Sequence, residues 1–328
     1  MSTVPPPPDA PQPQIDAVVI GRNEGERLLA CLDSLAGQVR RVIYVDSGSS
    51  DGSVAAAKAR GAEVVPLDMS RPFTAARARN AGLDRLSANT SDGLVQFLDG
   101  DCSLDPGWLR QGADFLAQHP DVAVACGRRR EQNPSGSTYN WLCDLEWDTP
   151  IGEAKACGGD ALMRRDAILQ VGGYRDTLIA GEEPELCVRL RKAGWKIWRL
   201  DEEMTRHDAQ ITRFSQWWKR ARRAGHAFAE GAHLHGAPPE CHWVAETRRA
   251  MVWGAVLPGL IALTWPLLPL LGSVLSLIYP LQFLRLSRRD GPRRAWYSML
   301  GKFAEAQGVV EFHLNRLRGR HRALIEYK

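Results

Sequence analysis

Two aspartates one residue apart, Asp99 and Asp101, close a short apolar run, Leu94-Val95-Gln96-Phe97-Leu98. The run is too short for a helix and rich in β-formers, so it reads as a buried strand. In an open α/β sheet, ligands collect at the carboxyl ends of strands. Two carboxylates there can share a hard divalent cation, and that cation can grip a diphosphate. The same residues also suit a turn opened by Asp99 and a helix cap at Asp101 ahead of Trp108. A second acidic group, Glu182, Glu183 and Glu185, stands just before the helical pattern of Leu186, Leu190 and Ala193. Crowded carboxylates raise one another's pKa, which suits a base that takes a proton from a hydroxyl. A helix N-terminus enriched in acid for its dipole would explain acidity, but not three acids at once.

The elements that must position these groups alternate. Ala17–Ile20, Arg41–Asp46, Ala62–Pro66, Leu94–Asp99 and Val122–Cys126 read as strands, and Lys196–Leu200 as another. Helical patterns lie between them, at Leu28–Leu35, Ser53–Arg60, Arg71–Leu86 and Trp108–Gln118. Such alternation implies right-handed crossovers and a mainly parallel sheet. The loop Ser47-Gly48-Ser49-Ser50-Asp51-Gly52 presents backbone N–H groups and carboxylates where a nucleoside could sit, or serves as a plain strand-to-helix turn. No lysine follows its glycines, so it is not a P-loop.

The chain has 328 residues, of which 44% are hydrophobic, so a sizeable core is affordable. A net charge of +4 is too mild to point to nucleic acid. The seven cysteines contain no CxxC pair, which fits reduced thiols in a cytosolic setting. The N-terminus lacks an apolar signal core, and Met1–Gln14 is proline-rich, an expected disordered tail.

Four segments, taken together and in order, resemble the motifs of family 2 glycosyltransferases. They are Val19-Ile20-Gly21-Arg22-Asn23-Glu24, Val45-Asp46-Ser47-Gly48-Ser49-Ser50-Asp51-Gly52-Ser53, Ala78-Arg79-Asn80-Ala81-Gly82 and Leu98-Asp99-Gly100-Asp101. The resemblance covers roughly residues 15 to 230. It implies a GT-A fold, a nucleotide-diphosphate sugar donor, Mg2+ or Mn2+, and inversion at the anomeric carbon. By the same resemblance Asp99 and Asp101 match the metal-binding DxD pair, with Asp101 the more direct ligand and His207 a third. Asn23, Glu24, Asp46, Ser47, Arg79, Asn80, Asp99 and Gly159 match the surroundings of the nucleotide and donor sugar. Many members carry two adjacent aspartates where this chain has Asp46-Ser47. The base is usually an aspartate where this chain has Glu183, one methylene longer, with Glu182 and Glu185 as substitutes.

The C-terminal third changes character. Phe214, Trp217, Trp218, Ala221, Gly225 and Phe228 share one helical face, with Lys219, Arg222, Arg223, His226 and Glu230 opposite. This describes an interfacial helix on an anionic membrane, or one packed on the catalytic domain. From Ala250 through Leu284 no residue is charged. One helix of that length would run roughly 50 Å, too long for a bilayer core of about 30 Å. Pro266-Leu267-Leu268-Pro269 should break it into two arms. Arginines flank both ends, placing both in the cytoplasm. The expectation is therefore a membrane hairpin, either two short transmembrane helices or a re-entrant wedge, with a buried helical pair as the soluble alternative. Tyr297–Leu317 reads as an amphipathic helix, and Arg316–Arg322 as a basic return to the surface.

The expected organisation is a disordered tail (1–14), a GT-A catalytic domain (15–212), an amphipathic interfacial region (213–249), a membrane hairpin (250–286) and a basic cytosolic C-terminal helix (287–328). The expected activity is transfer of a sugar to a lipid-linked or polysaccharide acceptor at the cytosolic face of the membrane. Expected partners are the nucleotide sugar, the acceptor and anionic lipid, with no nucleic acid. Alternatives are a polyprenyl-phosphate sugar transferase and, in another class, a non-catalytic membrane scaffold.

Overall fold

A computed structural model describes residues 14–87 and 92–319. The proline-rich start up to residue 13 and the basic end from residue 320 lie outside the described residues. The strands are β1 (Ile15–Gly21), β2 (Arg41–Asp46), β3 (Glu63–Pro66), β4 (Leu94–Asp99), β5 (Cys102–Leu104), β6 (Val122–Glu131), β7 (Gly152–Ala154), β8 (Ala161–Arg164) and β9 (Lys196–His207). They form one sheet in the order β3-β2-β1-β4-β8-β6-β9-β5, with β7 paired to β9.

The first four strands in that order are parallel. Most of the Val, Ile and Leu side chains of β1, β2 and β4 are buried on both faces, as a sheet covered by helices requires, while Val64 and Val65 of the edge strand β3 are half-buried. The register opposes Gly21 to Asp46 and Ile20 to Asp99, so the carboxyl ends of β1, β2 and β4 reach one level. Beyond β4 the sheet is mixed. β8 runs antiparallel to β4 and β6, while β6 and β9 are parallel.

Two strands outrun the sequence reading, and both extensions reach the site. β6 continues through Arg128-Arg129-Arg130 to Glu131, with register shifts against β9 on either side of Arg128. Bulges of this kind re-aim side chains next to active sites. β9 continues past Leu200 to His207, because the short strand β5 pairs antiparallel with its end and sets Cys102 opposite His207. The polar run Asp201-Glu202-Glu203 hides that continuation from any hydrophobic pattern.

The helices around the sheet are α1 (Glu26–Leu35), α2 (Ser53–Ala59), α3 (Ala75–Ser87), α4 (Trp108–Gln118), α5 (Thr138–Glu146), α6 (Arg165–Gln170) and α7 (Glu182–Lys192). Then come α8 (Phe214–His235), α9 (Val244–Met251), a π-helical turn over Val252–Val256, α10 (Leu257–Leu267), α11 (Pro269–Ser276), α12 (Ile278–Asp290) and α13 (Pro292–Leu317). The segment 213–235 is not laid out as a free surface helix. α8 packs along α13, with Trp217 buried beside Tyr139 and Tyr297. Three of its arginines are engaged: Arg220 with Glu146, Arg222 with Glu311, and Arg223 with the Ile179 carbonyl.

The uncharged stretch forms a helical hairpin that breaks at Leu268, inside the expected Pro-Leu-Leu-Pro segment. Trp265 packs on Gly272, and the Tyr279 hydroxyl donates to the Trp253 carbonyl, so the arms run back along each other. Val244–Leu267 and Pro269–Asp290 are both long and apolar enough to cross a membrane by length and composition.

Candidate active site

The carboxyl ends of β1 and β4, the loop before β8, the N-terminus of α7, the end of β9 and one face of α8 enclose a cavity of about 570 Å³. Glu24, Ser47, Arg79, Asp99, Asp101, Gly159, Glu182, Glu183 and His207 all face it, so the fold gathers residues from seven separate segments.

Arg79 is at the centre of the charges. It rises from α3, is almost wholly buried, and holds Asp99 at 2.8 Å, Glu182 at 2.8 Å and Glu183 at 2.7 Å. Burial opposes its charge, but three carboxylates outweigh that and hold the guanidinium pKa well above its ordinary value. Glu183 is pushed up to about 7: burial raises it most, Arg79 opposes, and Glu182 and Asp99 raise it further. A carboxylate poised there can accept a proton near neutral pH.

Arg129, on the bulged part of β6, balances Asp99 from the other side at 3.2 Å and reaches Asp160 at 3.1 Å. Its guanidinium lies 5.0 Å from the centre of the Trp147 ring. Trp147 in turn packs on His207, with ring centres 4.8 Å apart. His207 Nε2 sits 3.2 Å from an Asp101 carboxylate oxygen. Burial first and Arg129 second lower the His207 pKa to about 3, so the imidazole is neutral. Its Nδ1 is buried with no hydrogen-bond partner. A neutral imidazole beside Asp101 is a donor pair that fits a divalent cation such as Mg2+ or Mn2+, with the Cys102 thiol within reach of both, while Asp99 groups with Cys102 and Asp160.

The remaining expected residues divide by location. Asp46 is buried and accepts from the N–H groups of Gly48 and Ser49, which shapes the β2–α2 loop. Asn23, at a positive φ of 56°, accepts from Ser50 N–H and donates its own N–H to Ser49 Oγ, tying the β1 loop to the β2 loop. Asn80 is turned away from the cavity and is bonded to Tyr174 and Asp176. Glu185 is not brought to the cavity either. It faces the opposite side of α7, where Arg189, Arg175 and His235 hold it. Burial would raise its pKa, but those bonds outweigh it and keep the group below its ordinary value, unsuited to taking a proton.

Sequence reasoning gave no site role to Arg129, Asp160, Arg220, Arg223 or Trp243. Three successive arginines at the end of a strand facing an acidic strand end were the available signal for Arg129. Trp243 carries no such signal. It comes from the segment before α9, adopts a left-handed φ of 54°, and lays its ring against Gly181 at the start of α7. A bulky residue in that conformation costs on the order of 1–3 kcal/mol, so packing must hold it there.

A parallel half-sheet ending in paired acids, continued by a mixed half and faced by an acid-bearing helix, is the GT-A class of fold. The mannosyltransferase PcManGT of Pyrobaculum calidifontis has the same fold, with a TM-score of 0.66 over 93% of this chain and 88% of that one, at 17% identity. So does TarS (residues 1–349) of S. aureus, with a TM-score of 0.51 over 94% and 92% at 16% identity. Residues 16–169 match Glycosyl transferase family 2, and the chain carries a family 2 glycosyltransferase domain. The glycosyltransferase AglE of Haloferax volcanii is 25% identical over 200 residues, 56% of this chain and 64% of that protein. The pre-mycofactocin glycosyltransferase of Mycobacterium tuberculosis is 30% identical over 230 residues, 65% of this chain and 46% of that protein. The succinoglycan biosynthesis protein ExoA of Rhizobium meliloti is 28% identical over 199 residues, 55% and 58%. The chain thus spans about half to two thirds of the length of these relatives.

Proposed function

We propose that the protein is an inverting, metal-dependent glycosyltransferase that moves a sugar from a nucleotide-diphosphate sugar to a lipid-linked or glycan acceptor at the cytosolic face of the membrane. The observation that carries this is the facing of Glu183 and the Asp101–His207 pair across one cavity. Supporting it, PcManGT is described in complex with GDP-Man and Mn2+, and TarS in complex with UDP-GlcNAc.

Asp101 and His207, with Asp99 beside them, would hold the cation, which would supply positive charge against the diphosphate. The chain's own groups do the rest. Arg79 holds Asp99, Glu182 and Glu183 in register before substrate arrives. Glu183 takes the proton of the acceptor hydroxyl as its oxygen attacks the anomeric carbon. The bond to the diphosphate breaks on the opposite face, and the nucleoside diphosphate leaves with the electron pair. Gly159 lets backbone approach the donor sugar where any side chain would meet Arg79 and Asp99. Residues 15–212 serve as the catalytic unit, and 250–286 anchor it beside a membrane-held acceptor. Arginines at both ends of the hairpin favour the cytosolic side.

Calorimetry of the solubilised full chain against a set of nucleotide sugars, with Mn2+ or with chelator, tests the reading. The expected result is metal-dependent binding of one donor, lost in Asp101→Ala with the fold intact. Binding of no nucleotide sugar, or equal binding by Asp101→Ala with and without metal, overturns it.

A further inference from the structure

We infer that the hairpin does not cross the membrane: it is a wedge whose tip ends inside the hydrocarbon of the cytosolic leaflet. The inference rests on the membrane half of the proposed function and is independent of its catalytic half. By residue count alone the two helices, 24 and 22 residues long, could each span a bilayer. Packing removes that option. The lower part of the first arm, α9 and the π-helical turn, is laid against α8 and α13. Ala250 there is fully buried, and Gly254 meets the Lys302 backbone of α13. On the second arm Tyr279 stacks on Phe303 of α13. α8 and α13 carry Arg222, Lys302, Glu305 and Glu311 in ion pairs and cannot follow the arms into hydrocarbon.

Only the part above Trp253 and Tyr279 is therefore free to enter. It projects about 16 to 22 Å at 1.5 Å per residue, against a core of about 30 Å. That reach ends near the middle of the core and falls short of the far side. The tip agrees. A spanning hairpin would release its turn into water on the far side, but here the turn is Leu267, Leu268 and Leu270, exposed by 70%, 58% and 81%. The backbone of the turn also has few donors to satisfy. Pro266 and Pro269 have no N–H, and the Leu268 N–H is bonded to the Thr264 carbonyl at 2.7 Å. Thr264 and Ser276 return their hydroxyls to the carbonyls of Leu260 and Gly272. Arginines stand only at the base, Arg248 and Arg249 on one side and Arg285, Arg288 and Arg289 on the other. Between the arms, Pro258, Ile261, Trp265, Tyr279 and Phe303 line a groove of about 710 Å³, which an immersed wedge fills with lipid chain rather than water.

The experiment adds full-length protein to the outside of preformed phosphatidylethanolamine–phosphatidylglycerol vesicles. Leu268→Cys in a Cys241→Ser background carries an environment-sensitive fluorophore, since Cys241 is the exposed native thiol. Nitroxide lipids at graded depths report its position, and dithionite trapped inside the vesicles reports emergence on the far side. Leu270→Cys repeats the measurement, so the result does not hang on the folding of one variant. The expected outcome is an apolar environment, strongest quenching by mid-chain nitroxides, and no reaction with lumenal dithionite. Reaction from the lumen overturns the wedge in favour of a span. A probe still in water on vesicle-bound protein overturns insertion altogether. Donor binding measured on the same protein separates these failures from failure of the catalytic reading.

Discussion

Glu183 and Gly159 both adjoin Arg79, and each supports a prediction. With its carboxyl raised to about 7, Glu183 is protonated below neutral pH and cannot accept the acceptor's proton. The rate should rise with pH through about 7 and level off above it, because only the ionised form is a base. Glu183→Gln should remove this limb and lower kcat by about 10²–10⁴-fold, read in a donor-turnover assay across pH. A profile flat through 7 in the native protein would assign proton transfer elsewhere. At Gly159 an added Cβ would lie 2.9 Å from Arg79 Nη2, 3.1 Å from an Asp99 oxygen and 3.3 Å from a Glu183 oxygen. Gly159→Ala should disturb all three charges together and cost on the order of 10²-fold in kcat, with little change in thermal unfolding. At this scale the sequence was informative where chemistry demands residue types in order. Asp99, Asp101, Glu182, Glu183 and Arg79 were legible and meet at one cavity. Glu185 was not separable from its neighbours, because only the turn of α7 decides which acids face the pocket. In the structure it faces Arg189 instead.

Elements meet more closely than composition suggests where α8 crosses α13. A Cβ on Gly225 would strike the Glu305 backbone, and one on Gly308 would strike the Arg222 backbone. Two helices can approach so closely only through glycine. In an exposed helix, exchanging glycine for alanine stabilises by roughly 0.5–1 kcal/mol. Here the sign should reverse. Gly225→Val and Gly308→Val should each destabilise by about 1–3 kcal/mol through overpacking, measured by denaturant unfolding. An unchanged or raised midpoint would mean the two helices separate freely. The helix over residues 214–230 was legible but its two faces were not: Phe214 of the expected apolar face is exposed, and His226 of the expected polar face is buried against Phe312. What covers its apolar face was not legible, because a helix partner and a lipid surface select the same side chains. The length of β9 was hidden for another reason. Its second half pairs with β5 and β6 through backbone and has little hydrophobic alternation, so His207 reaches Asp101 by register rather than by any local signal.

For the whole molecule, the catalytic pocket and the hairpin are joined through α8, α13 and Trp243, so an anchored hairpin fixes the pocket at a set height over the membrane. Electrostatics should then govern how the protein arrives there. Arg248, Arg285 and Arg288 flank the uncharged stretch and lie at the level of the headgroups if the arms are immersed. Each arginine near an anionic surface contributes about 1 kcal/mol, so Arg248→Gln, Arg285→Gln and Arg288→Gln together should weaken binding to phosphatidylglycerol vesicles by roughly 10²-fold at low salt. Native binding should fall as ionic strength rises, because these charges are screened over about a Debye length of 10 Å at 0.1 M. Binding to neutral phosphatidylcholine vesicles should be the same for native and substituted protein, since hydrocarbon contact by Trp265, Leu267 and Leu270 is left in place. Sedimentation of the full chain with both vesicle types checks all of this in one series. If the triple variant bound anionic vesicles as well as the native protein, hydrophobic insertion alone would set the affinity, and the basic flanks would act only in fixing which side of the membrane the catalytic unit occupies.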